Sequence, residues 1–220
     1  MSTMNRRTWL AMAGIAPFAG AAWAQAAAGN YAWPQVSARE TIRQRYFPDI
    51  LLRTHENKPV RFYEDCLKDK FVTLNFMYIN CPDGTCPLTT HNLVQVQQLL
   101  GERVGRDIFI YSITLDPQHD TPDLLKRYAK SHGVGPGWLF LRAEPKETEI
   151  LRRKLGFYAR NPKTDAKKSN HVAMVRFGDE PRQLESTTSA MIAPATVVRQ
   201  ILSVADLPDP SRPGGKRVAN

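Results

Sequence analysis

A buried-looking strand that runs straight into Cys-x4-Cys-Pro limits what this chain can fold into more tightly than any other stretch. Phe71-Val72-Thr73-Leu74-Asn75-Phe76-Met77-Tyr78-Ile79 is apolar, aromatic and β-branched, the pattern of a strand covered on both faces. Asn80-Cys81-Pro82-Asp83-Gly84-Thr85-Cys86-Pro87 follows, and then Leu88, Leu93, Val96, Leu99 and Leu100 recur at roughly helical spacing. Pro87 suits a first helical turn, where its missing N–H costs nothing. The pattern predicts a helix from Pro87 to about Gly101, with both thiols at its head. The positive end of a helix dipole there lowers a thiol pKa and favours thiolate. Thiolates are the nucleophiles of disulfide exchange, and they are also soft ligands that select Cu(I).

Around this junction strands alternate with helices. Asp49 to Arg53 and Val60 to Tyr63 flank the polar turn His55-Glu56-Asn57-Lys58, a hairpin signature. Ile108 to Thr114 is a second buried strand. Thr121-Pro122-Asp123 opens a helix that runs to His132 and stops at Gly133. Trp138 to Leu141 reads as a short strand and Lys146 to Leu155 as a helix. His171 to Phe177 reads as a strand, Gly178-Asp179-Glu180 as its turn, Gln183-Leu184 as the start of a hairpin partner, and Ala193 to Ser203 as a last helix. Strand–helix–strand, helix, then hairpin and helix is the order of an α/β thioredoxin-like fold, with a central mixed sheet flanked by helices and an N-terminal hairpin.

The N-terminus addresses the compartment. Arg6 and Arg7 precede a mild Ala/Gly-rich stretch, and Ala22-Trp23-Ala24 supplies small residues for cleavage. Residues 1–24 read as a twin-arginine-type signal peptide for export to a bacterial periplasm, with an ordinary secretory signal or a retained anchor left open. No later segment approaches the ~18 apolar residues of a membrane span. Residues 25–48 read as an irregular leader, 49–205 as one thioredoxin-like domain, and 206–220 as a disordered Pro/Gly-rich tail. Removing the signal takes only two charges from the formal +9. An exported basic protein meets an acidic partner or an anionic membrane surface rather than nucleic acid. It reads as a monomer. The periplasm also lets paired cysteines close into a disulfide. Cys66 lies in an apparent turn before the main strand and reads as a packing residue.

Three stretches together resemble the Sco/SenC family, copper proteins of the periplasm or mitochondrion that help assemble the copper site of cytochrome oxidase. They are Phe76-Met77-Tyr78-Ile79-Asn80-Cys81-Pro82-Asp83, Leu115-Asp116-Pro117-Gln118-His119-Asp120-Thr121-Pro122 and Asn170-His171-Val172. The resemblance covers about residues 48–204. It implies copper as the bound metal, Cys81, Cys86 and His171 as its ligands, and the copper-receiving subunit of a respiratory oxidase, or another periplasmic copper protein, as partner. The family pattern has three residues between the cysteines. This chain has four, Pro82 to Thr85, and Gly84 is the extra residue best able to bulge without moving the helix.

Two function classes stay open on these residues. One is a copper chaperone or thiol-reducing assembly factor. The other is a metal-independent thiol–disulfide oxidoreductase or thiol peroxidase, with Cys81 and Cys86 as its redox pair. The two-residue spacing of thioredoxin-type enzymes is absent, which counts against the second. Lys163, Lys167 and Lys168 give the approach to His171 a positive charge suited to an acidic partner. Asp116 and Asp120 are candidates for supporting the cysteine loop or touching a partner, although Asp120 with Thr121 also reads as a helix cap. His91 falls more than a turn past Cys86, His119 sits in a turn, and His55 and His132 read as solvent-facing. No Walker, dinucleotide or serine-elbow motif is present.

Overall fold

Seven strands form one mixed sheet in the order β2-β1-β5-β4-β3-β6-β7. The structure, a computed structural model, describes residues 37–171 and 173–207, without the side chains of residues 39, 44, 169 and 171. The signal reading, the first half of the leader and most of the tail therefore lie outside the described residues. The sheet belongs to the unit Ala38–Asn220. Among the described residues no helix is long and apolar enough to cross a membrane.

The strands are β1 (Leu51–Thr54), β2 (Pro59–Arg61), β3 (Phe71–Met77), β4 (Ile108–Thr114), β5 (Trp138–Arg142), β6 (Met174–Asp179) and β7 (Leu184–Ser189). Helices α1 (Ala38–Tyr46), α2 (Thr85–Leu100), α3 (Pro122–Ser131), α4 (Pro145–Lys154), α5 (Pro162–Asp165) and α6 (Pro194–Ala205) surround them. The β3–β4 and β4–β5 pairs are parallel, linked through α2 and α3, and all other pairs are antiparallel. Parallel strands need a crossover, and the helix that makes it covers the sheet face, so β3 and β4 are buried at nearly every residue. This is the expected thioredoxin-like order.

Three strands are joined at the centre by buried polar side chains. Trp138 Nε1 donates to Ser112 Oγ at 2.9 Å, and Ser112 Oγ donates to Asn75 Oδ1 at 2.7 Å. Asn75 and Ser112 are register partners on β3 and β4. Each of these three buried side chains thus finds a polar partner, as burial favours. Phe76, Ile110, Ile113, Phe140 and Phe177 fill the space around them.

Several boundaries differ from the sequence reading. The leader read as irregular contains α1, where Arg43 pairs with Glu40 at 2.5 Å and lies over the Tyr63 ring. The second hairpin strand stops at Arg61 because Phe62–Leu67 coils into one wide helical turn. That turn places Cys66 in the core at 1 % exposure, and burial pushes its thiol pKa up to about 12, in keeping with a packing role. β6 begins at Met174 rather than His171 and continues through Gly178 and Asp179, which had read as a turn. His55 is not solvent-facing: it is half-buried, Phe140 N–H donates to its Nδ1 at 3.0 Å, and burial lowers its pKa. His132 also packs inward, with its ring against Tyr128.

Candidate metal centre

β3 delivers its chain to the end of the sheet at Met77, whose carbonyl accepts from Leu115 N–H at 2.7 Å. The loop Tyr78–Gly84 then turns into α2. Gly84 caps the helix with φ +70°, a left-handed conformation that glycine adopts without steric cost. A Cβ built there would meet nothing within 4 Å, so backbone conformation alone selects glycine. Gly84 N–H reaches back to the Cys81 carbonyl at 3.3 Å. The four-residue spacing is therefore absorbed by a turn around Gly84.

α2 starts at Thr85, two residues ahead of the predicted start, so Cys86 sits inside its first turn. Cys86 N–H donates to Cys81 Sγ at 3.4 Å. The Cys81 thiol donates to Asp83 Oδ1 at 3.2 Å, and the same oxygen accepts from Thr85 N–H at 3.2 Å. Asp83 thus satisfies one of the orphan N–H groups at the helix head while holding Cys81 beside it. Cys81 is half-exposed and Cys86 is fully buried. Both are unpaired thiols in this structure. Burial pushes the Cys86 pKa up, helped by its hydrogen bond with Cys81, which overrides the lowering expected from the helix dipole. Burial likewise raises Tyr78, with Cys81 beside it.

The Asp-Pro-x-x-Asp-Thr-Pro stretch divides its work in a way the sequence did not reveal. Thr121, not Asp120, caps α3: its hydroxyl accepts from Leu124 N–H at 3.3 Å. Asp120 is buried at 1 % exposure and faces the cysteine loop. Its Oδ2 accepts from Ile79 N–H at 3.2 Å and from Thr114 Oγ1 at 2.5 Å, and Thr114 Oγ1 accepts in turn from Asp116 N–H at 2.9 Å. One carboxylate oxygen therefore ties the end of β4 to the backbone two residues before Cys81. Burial raises the Asp120 pKa, against the bonds from Thr114 and Ile79 that favour its anion.

Asp116 meets His119 Nδ1 at 3.0 Å and Lys168 Nζ at 3.1 Å. Burial acts to raise its carboxyl pKa, but His119 and Lys168 outweigh burial and hold it below its ordinary value. Lys168 also lies 5.9 Å from the Tyr78 ring centroid. These contacts pin the short helical turn Lys168–His171 to the sheet end that carries Cys81. β6 starts just after, antiparallel to β3, with Val175 opposite Asn75. The backbone of His171 is thereby brought to the same end of the sheet as the two thiols, on a turn and not on the strand the sequence suggested. Its side chain lies outside the described residues. Among the described residues no group of three or more His, Cys, Asp or Glu side chains gathers as a metal site. His91 is exposed and pairs with Gln95. Lys163 and Lys167 are exposed, as a positive approach requires.

Chemically, the helix head offers two sulfur donors, one open to solvent and one buried against it. Such a pair closes into a disulfide on oxidation, or holds a soft cation as thiolates. That donor set fits a soft ion better than a hard one, whose preferred ligands are oxygens.

The family model described as SCO1/SenC matches residues 48–206. An SCO2-like protein of Rickettsia felis is 35% identical over 100 residues, 45% of this chain and 47% of the relative. The chain spans about half the length of the curated relatives it matches. Among solved structures, yeast Sco1 aligns with a TM-score of 0.59 at 21% identity, over 74% of this chain and 95% of that one. ScoI of Bradyrhizobium japonicum with copper bound aligns with a TM-score of 0.55 at 22% identity, over 70% and 96%. These two structures carry the fold. The family match runs from before β1 to just past α6, so that it takes in the whole sheet, the cysteine loop and the turn of His171, and the chain belongs to the SCO1/SenC family.

Proposed function

We propose that this protein is a copper-binding assembly factor that carries Cu(I) on Cys81, Cys86 and His171 and delivers it to a copper-receiving subunit of a respiratory oxidase or another periplasmic copper protein. The observation that carries this reading is the thiol pair at the head of α2, with Cys86 N–H on Cys81 Sγ at 3.4 Å. The family membership and the turn that brings His171 to that end of the sheet support it. Two thiolates and a neutral imidazole suit a soft d10 ion, and a half-exposed Cys81 leaves a side from which a recipient can take it. Arg6 and Arg7 support export to the periplasm. Lys163 and Lys167 support an acidic rim on the recipient.

The same pair serves the reducing version of this role. Two thiols lose two protons and two electrons in closing a disulfide, and a recipient's disulfide takes both up as it opens to two thiols. Only the dithiol form binds the ion, since a disulfide sulfur is a poor ligand. Cu(I) therefore stabilises the reduced protein by mass action.

The test is His171→Ala in a Cu(I) competition titration of the reduced protein. Small structural zinc sites bind with about 10–16 kcal/mol, and a site of that strength shared among three ligands makes each worth ~3–5 kcal/mol, so affinity should fall at least about a hundredfold. An unchanged affinity would remove His171 from the ligand set.

A further inference from the structure

The loop between β7 and α6 places a methionine sulfur over the helix that carries Cys86. Thr89 lies three residues after Cys86 on α2, so the two share a face with Cβ atoms about 5–6 Å apart. Both are fully buried. Thr89 Oγ1 points at Met191 Sδ, 3.9 Å away. The loop is held there from three directions. Asn92 Nδ2 donates to the Ala190 carbonyl at 2.9 Å, and Met191 N–H donates to Ser189 Oγ at 3.1 Å. Ala190 N–H donates to the Ala173 carbonyl at 2.7 Å, and Ser189 pairs with Met174. Met191 thus stands between the first turns of α2 and the strand that follows the His171 turn. It is nevertheless 43 % exposed, next to Ile192 at 36 %. Met191 is a large apolar side chain, held at the end of the sheet where β6 begins and α2 starts and left open to water, so it is available to meet what approaches that end.

We infer that Met191 is a soft way-station for Cu(I), a thioether that receives the ion from its source and passes it to Cys81 and Cys86. This inference rests on the copper reading above. A thioether is a weak, neutral, polarisable donor that prefers Cu(I) over harder ions. It carries no proton, so it can take the ion before either thiol has released one. The transfer is a ligand exchange with no change of oxidation state. The Cu–thioether bond breaks as two Cu–thiolate bonds form, and the two thiol protons go to water. A weak first donor suits this step, because a strong one would hold the ion.

The experiment uses the reduced mature protein and the Cu(I)–bicinchoninate complex as source, followed by stopped-flow absorbance. Met191→Leu keeps the apolar volume and removes the sulfur. Uptake should slow about tenfold, in the range by which association rates vary among mutants of one interface, while the final affinity stays within about twofold. A second readout is direct. In the Cys81→Ser protein, where the passage cannot be completed, the 13C-labelled Met191 ε-methyl signal should shift on adding Cu(I). Uptake at the parent rate, or a methyl signal that does not move, overturns the inference. An affinity that falls in step with the rate also overturns it, because Met191 would then be a resident ligand. A parent protein that takes up no Cu(I) at all overturns the copper reading itself, and this inference with it.

Discussion

Cys81→Ser is expected to weaken Cu(I) binding about a thousandfold, with the folded state intact, because a thiolate bond carries more of the binding energy than an imidazole one. Serine keeps the side-chain volume close and can still accept from Cys86 N–H and donate to Asp83, the two contacts that hold Cys81 in place. Cys81 is also half-exposed, so a hydroxyl there is not stranded in the core. Cys86→Ser should lose as much affinity but cost some stability as well, since Cys86 is fully buried and its new hydroxyl needs a partner. A Cu(I) competition titration of each variant, beside a thermal melt, separates the two effects. If either serine variant held copper as tightly as the parent, its sulfur would not be a ligand.

Asp120→Ala is expected to be the most disruptive change near the site that touches no proposed ligand. It leaves Ile79 N–H and the Thr114 hydroxyl without the acceptor they share. Each orphaned buried donor costs about 1–3 kcal/mol, so the total is about 3 kcal/mol. For a chain of this size that lowers the melting temperature by roughly 10 °C. Releasing Ile79 also loosens the loop two residues before Cys81, and loss of a supporting contact of this kind lowers metal affinity about 10- to 100-fold. Asp120→Asn keeps one oxygen that can accept both bonds, so it should recover most of the stability and the affinity.

The comparison with asparagine also has a pH signature. Burial raises the Asp120 pKa in the folded protein, so the folded state holds this proton more tightly than the unfolded chain does. Stability from this group therefore falls as pH rises from the ordinary aspartate range to the raised value, and is flat above it. The asparagine variant does not titrate. The parent should gain stability relative to Asp120→Asn as pH falls through that window. Denaturant unfolding of both proteins across the window checks this, and parallel pH profiles would contradict the raised pKa of Asp120.

What the sequence disclosed depended on how local the cause was. β3 and β4 were legible because both their faces are buried, which writes an unbroken apolar run into the chain. α3 was legible from Thr121-Pro122, a cap and a first-turn proline in adjacent positions. α1 was missed because its sequence, Ala-Arg-Glu-Thr-Ile-Arg-Gln-Arg-Tyr, has only a thin apolar stripe, and its position depends on Arg43 reaching the distant Tyr63 ring.

The site shows the same division. The thiol pair was legible from its place between a strand and a helix. The role of Asp120 was not, because aspartate before Thr-Pro reads as a cap as readily as a buried acceptor, and the donor that decides is Ile79, 41 residues away. The turn holding His171 was read as strand because the bond that fixes it, Lys168 to Asp116, spans 52 residues. The protonation of Cys86 was misjudged for a similar reason: the dipole belongs to its own helix, but burial comes from the whole fold. Met191 gave no signal, since its contact with Thr89 crosses 102 residues.

The proposed Cu(I) site is the reduced pair Cys81 and Cys86. Copper content measured after anaerobic Cu(I) titration against a competing chelator tests it most directly, on the mature protein in its dithiol form and again after oxidation to the disulfide. One copper ion per chain retained by the dithiol and none by the disulfide is the predicted result. A dithiol protein that retains no copper, or a disulfide protein that retains as much, would contradict it.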